Sequence, residues 1–115
     1  MTLEETEEFN AGWLDAWTAQ DVARIALFYS EDCLFMDSST AGGLKGRAAL
    51  IAHLDALFPR LPDMTYSADT VWLINGGFCG RWFCDIAGGA RLRGFDLALL
   101  RGREIVHNEV YTHNL

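Results

Sequence analysis

The chain has 115 residues, half of them apolar and 22% charged, with 9 Lys and Arg against 16 Asp and Glu for a formal net charge of -7. That length fits one domain spanning residues 1–115 and excludes a second catalytic one, and the mixture is that of a globular protein rather than a disordered or collagenous one. A chain this acidic repels phosphate backbones and anionic lipid, so neither nucleic acid nor a membrane surface is an expected partner.

Thr2 followed by Glu5 fits a capping box. Glutamates at 4, 5, 7 and 8 suit a helix N-terminus, and Phe9, Trp13 and Trp17 recur at helical spacing, so a first helix is predicted over about Leu3 to Ala19. Asp21 caps a second, shorter helix with Val22, Ile25, Phe28 and Tyr29 as its buried stripe, closed by Ser30-Glu31-Asp32. Cys33 to Asp37 reads as a short strand, Ser38 to Gly46 as a loop, and Arg47 to Leu57 as a third helix stopped by Pro59 and Pro62. From Met64 onward helical periodicity disappears. Turn signals at Asn75-Gly76-Gly77, Gly88-Gly89 and Arg101-Gly102 divide an antiparallel meander into Thr65 to Ile74, Phe78 to Ala87, Ala90 to Leu100 and Glu104 to Thr112.

The faces of these strands state what the sheet must touch. Phe95, Leu97 and Leu99 share one face, while Leu92, Asp96, Ala98 and Leu100 share the other. The helices can cover one side. A second apolar side predicts a homodimer through the sheet. On the last strand Ile105, His107, Glu109, Tyr111 and His113 alternate with Val106, Asn108, Val110 and Thr112; His107 and Glu109 are either a pair at the dimer surface, the favoured reading, or part of a site, and Asn108 is the better pocket candidate.

Asp96 lies in the middle of the most apolar strand, where a carboxylate is paired, neutralised by desolvation, or lining a cavity. Its structural alternative is an ion pair with Arg81, Arg91 or Arg93. Asp37 ends the Leu34-Phe35-Met36 strand, and its structural alternative is a loop cap with Ser38 or Ser39. Two acids in unequal surroundings can divide acid and base roles. Trp13, Trp17, Phe35, Trp82 and Phe83 are candidates for the wall of an apolar pocket, with Trp72 assigned to core filling. Three cysteines without C-x-x-C spacing read as reduced small hydrophobes, and the N-terminal stretch has neither a basic nor an apolar leader segment, so a cytoplasmic location is expected. His53, His107 and His113 lack ligand spacing and no phosphate-binding glycine pattern is present, so neither a metal nor a cofactor is expected.

The run from Trp13 through Asp21, Ile25, Tyr29 and Asp32 to Asp37, then Gly46-Arg47 opening a helix, resembles the nuclear-transport-factor-2-like superfamily in its SnoaL-like polyketide cyclase and ketosteroid isomerase branch. Gly94-Phe95-Asp96 and the hairpin through Ile105 to Tyr111 are similar to the end of that branch. The resemblance implies an α+β fold, three N-terminal helices packed in a strongly curved, mixed but mostly antiparallel sheet that leaves a conical pocket. It puts Asp37 at the general base and Asp96 at the protonated oxyanion-hole acid. Trp13 stands where the isomerase has its oxyanion-hole tyrosine, Leu54 where it has a further pocket tyrosine, and Tyr29 keeps its counterpart. Other branches use two histidines with an aspartate or an Asp-Arg-Asp set, for which His53 and His107, or Arg81, Asp85 and Glu109, are the available residues.

Two classes of function follow. An enzyme would use Asp37 as base on a small hydrophobic ketone, with Asp96 and Trp13 stabilising the enolate, in isomerisation or aldol cyclisation. A binding protein would hold a small hydrophobic metabolite in the same cone without turnover.

Overall fold

The computed structural model describes residues 1–115. Helix α1, Leu3–Thr18, starts where expected: the Glu5 amide donates to Thr2 Oγ1 at 3.1 Å, and the Thr2 amide donates to Glu5 Oε1 at 2.9 Å. Asp21 caps α2, Val22–Ala26, by accepting from the Arg24 amide at 3.1 Å. Here local periodicity misleads. Helix α2 lasts only five residues, and strand β1 runs over Tyr29–Met36. The reason is tertiary pairing. The Ile105 amide donates to the Phe28 carbonyl at 2.8 Å and Tyr29 pairs with Ile105, so β1 starts there in parallel with β6, and after a register shift the ladder resumes at Leu34 paired with His107.

A two-residue strand β2, Leu44–Lys45, pairs with β1 before α3, Arg47–Leu57, and a short 3-10 turn over Phe58–Arg60 follows. The meander is as expected, with β3 Met64–Ile74, β4 Gly77–Ile86, β5 Arg91–Arg101 and β6 Glu104–Asn114. Gly76 and Gly102, with φ of 87° and 62°, supply left-handed turn conformations that side chains disfavour. The six strands run in the order β2-β1-β6-β5-β4-β3, and only β1 and β6 are parallel. The sheet is open.

Three irregularities interrupt the ladders: one is the shift in β1 between Tyr29 and Leu34, and the other two re-aim side chains. Between Ala68 paired with Trp82 and Thr70 paired with Arg81, residue Asp69 is extra; between Leu100 paired with Ile105 and Leu99 paired with His107, residue Val106 is extra. The second bulge corrects the simple alternation along the last strand, because Ile105 turns into the core while His107, Glu109 and Tyr111 stay on the other face. The helices cover the concave side. Trp13, Ile25, Tyr29, Leu50, Phe78 and Ile105 form its main core, and Leu14, Trp82 and Cys84 a smaller one beside α1. No helix is long and apolar enough to cross a membrane.

Candidate functional site

Between α1 and the concave face of the sheet lies a cavity of about 140 Å³. Helix α1 lines it with Trp13, Leu14 and Trp17. The end of β1 and the two residues that follow it bring Phe35, Asp37 and Ser38, and β3 contributes Met64 and Tyr66. Trp82 of β4, Leu92 and Asp96 of β5, and Asn108, Val110 and Thr112 of β6 complete the wall. At its mouth the cavity adjoins a wider hollow of about 470 Å³, and the two share Asp37, Ser38, Val110 and Thr112.

Asp96 is only 4% exposed. Its Oδ2 accepts from Trp82 Nε1 at 3.2 Å, and its Oδ1 has no partner. The expected alternative, an ion pair with an arginine, does not form. Arg81, Arg91 and Arg93 alternate onto the convex face and engage Asp69, Asp85 and His113. Burial therefore pushes the Asp96 carboxyl up to about 8, opposed only by the indole hydrogen bond. Trp13 Nε1 is a second buried polar atom on this wall without a partner.

Asn108 is pinned at both ends. Its Oδ1 accepts from the Tyr29 hydroxyl at 2.8 Å, and its Nδ2 donates to the Leu97 carbonyl at 3.2 Å. Tyr29 thus stands behind Asn108 rather than on the cavity wall, and burial, with the nearby Asp96, raises its phenol well above the usual range. Asp37 is at the mouth. Its Oδ1 accepts from the Ser39 amide, the Ser39 hydroxyl and the Thr40 hydroxyl, each at 2.9 Å, so the loop-cap arrangement is present at an oxygen of the same carboxylate that reaches the cavity.

Of the nine expected site residues, Asp37, Asp96, Trp13, Trp17, Phe35 and Asn108 line the cavity together. Leu54 is buried in the main core instead. Phe83 is on the convex face, beneath the Arg91 guanidinium at 4.5 Å, because its neighbour Trp82 takes the inward position. Tyr66 was not among the expected residues; its signal is the period-two pairing of Met64 and Tyr66 at the start of β3. The histidines do not reach the cavity. His107 bonds Glu109 at 2.8 Å on the convex face, and His53 is on α3. Arg81, Asp85 and Glu109 are likewise convex.

Three helices against an open, bent, mixed sheet with a pocket between them define the NTF2-like architecture, also described as cystatin-like. The sequence profile of the SnoaL-like domain matches residues 11–108, and the chain belongs to that family. No curated protein sequence matches it significantly. A SnoaL-like protein of unknown function from Burkholderia thailandensis superposes with a TM-score of 0.80 at 17% identity, over 98% of each chain. An NTF2-like protein of unknown function from Burkholderia xenovorans also gives 0.80, at 14% identity over 97% of this chain and 85% of that one. A hypothetical protein with a ketosteroid isomerase-like fold from Catenulispora acidiphila, solved in complex with trimethylamine, gives 0.77 at 17% identity over 92% and 85%. At such identities the likeness is one of fold.

Proposed function

We propose that the cavity binds a small, largely apolar ketone and moves a proton on it. Protonated Asp96 donates its O–H to the ketone oxygen, and Trp13 Nε1–H is the second donor. Asp37 at the mouth removes a proton from the carbon beside the carbonyl. Returning that proton to another carbon is isomerisation; attack of the enolate on a second carbonyl, which then takes the proton, is aldol cyclisation. The volume of about 140 Å³ suits a single ring, since a cavity of roughly 150 Å³ holds benzene.

The observation that carries this reading is the open Oδ1 of Asp96, a buried polar atom with no protein partner on a mostly apolar wall. The test is deuterium exchange at carbon in a one-ring cyclic enone, followed by NMR. Exchange is expected with the native protein and should fall by roughly 100-fold or more in Asp37→Asn. It should also decline above about pH 8, where Asp96 ionises, loses its donor and repels the enolate. Undiminished exchange in Asp37→Asn eliminates the base. The hydrogen bonds on Asp37 Oδ1 favour a second reading, a binding protein without turnover. Saturable binding of the enone with no exchange would establish it.

A further inference from the structure

The cavity holds more aromatic surface than a ketone can use, and two carboxyls that can carry negative charge. Trp17 stacks on Phe35 with centroids 6.1 Å apart, and Tyr66 meets Trp82 at 5.1 Å. Trp13 closes the helix side. Ring faces are the negative ends of aromatic quadrupoles, and the carboxyls of Asp96 and Asp37 add to them on the same wall. No lysine, arginine or histidine lines the cavity. Any charge that the lining itself carries is therefore negative.

A methylated ammonium ion suits such a site best. Its charge is spread over methyl groups that shed water cheaply, and it needs no hydrogen-bond acceptors. We propose that the cavity also takes a small tertiary or quaternary methylammonium cation, held against the rings of Trp13, Trp17, Tyr66 and Trp82 and paired with Asp96 as a carboxylate whose proton has passed to solvent. The inference uses the same cavity as the ketone reading but does not depend on it, because no turnover is involved.

The coupling to pH follows from the surroundings of Asp96. The titratable groups on its side of the sheet are Tyr29 on β1, Tyr66 on β3, Asp37 at the mouth and Cys84 on β4, with Cys79 of β4 on the convex side behind it. Helix α1 brings Trp13, Leu14 and Trp17 to the cavity and β6 brings Asn108, Val110 and Thr112, none of them charged. Burial raises both tyrosines and both cysteines, so they stay neutral where Asp96 titrates. With Asp96 held protonated up to about 8, binding of a cation below that pH must expel one proton.

Tetramethylammonium chloride is the probe, because it cannot titrate and any proton released comes from the protein. Calorimetry on the full chain near neutral pH, in two buffers of different ionisation enthalpy, should show about one proton released per cation bound. The Kd should fall roughly tenfold for each pH unit up to about 8 and level off above it. Asp96→Asn should abolish both the proton release and the pH slope, and tert-butanol, a neutral molecule of similar shape, should bind more weakly with no slope. Absence of tetramethylammonium binding above pH 8, binding without proton release, or equal affinity for tert-butanol would each overturn the proposal. Loss of enone exchange alongside intact cation binding removes only the ketone reading, and the reverse result removes only this one.

Discussion

The two faces of the sheet are made by the same strands and treat charge in opposite ways. On β5, Leu92, Gly94, Asp96 and Ala98 point into the concave side, while Arg91, Arg93, Phe95, Leu97 and Leu99 point outward. The convex face pairs its charges: Arg81 with Asp69 at 2.6 Å, Arg91 with Asp85 at 3.1 Å, His107 with Glu109 at 2.8 Å. Its carboxyls respond as paired groups in water do. The Arg81 hydrogen bond holds Asp69 below the usual range, and the His107 hydrogen bond does the same for Glu109. Asp96, one layer inside, moves the other way because nothing cationic reaches it and burial penalises its charged form. One residue type thus serves as a solvated ion-pair partner on one side and as a neutral acid on the other, and strand parity alone decides which.

Asp96→Asn tests that contrast most severely. The folded-state carboxyl titrates at about 8 against an ordinary value of 3.8. Between those values the folded chain keeps a proton that the unfolded chain has lost, so wild-type stability falls as pH rises through the window. The slope is about 1.4 kcal/mol per pH unit. The amide cannot ionise. Denaturant melts at a series of pH values should show the variant flat across this range and several kcal/mol more stable than the wild type above about pH 8. Parallel profiles for the two proteins would mean that Asp96 is not the desolvated group described above.

Gly94→Ala attacks the same wall through packing. A Cβ at Gly94 has no room against the flat of the Trp82 ring, so the indole must move and its hydrogen bond to Asp96 must break. Overpacking of this kind costs roughly 1–3 kcal/mol, and the enone and ammonium affinities should fall with it. Tyr29→Phe is milder in packing. It leaves Asn108 Oδ1 buried without its donor, which costs about 1–3 kcal/mol. A midpoint shift below about 0.5 kcal/mol would show that Asn108 finds another partner.

Much of the concave face was legible in advance because its signals are local. The capping box at Thr2 and Glu5, the glycine turns of the meander, and an aspartate inside an apolar strand each state a constraint that needs no distant partner. The rest depends on pairings between remote segments. Phe28 and Tyr29 close a helical stripe, and only the parallel pairing with β6 at Tyr29, resumed at Leu34, makes the segment a strand. The extra residue at Val106 inverts the parity of Ile105, which no pattern within that strand announces. Trp82 and Phe83 are adjacent aromatics of equal appeal, and the register of β4 on β5 sends one to the cavity and the other outward. Leu54 illustrates the limit of carrying a role over by resemblance: it occupies a position in the fold, yet its side chain packs in the core.

The smallest effect on the fold is expected on the convex side. Trp72 and Phe95 are 42% and 41% exposed, with ring centroids 5.9 Å apart, and Tyr111 pairs with Phe95 across β5 and β6. The homodimer through the sheet, still a proposal, would place these rings at its centre. Phe95→Lys removes apolar surface that the single chain leaves in water, so the isolated monomer should lose no more than about 0.5 kcal/mol. In sedimentation velocity the native chain should run as a dimer and this variant as a monomer. A native chain that remains monomeric at high concentration would refute the dimer and leave the convex aromatics without a partner of their own kind. The concave cavity, lined without residue 95, would keep its chemistry either way.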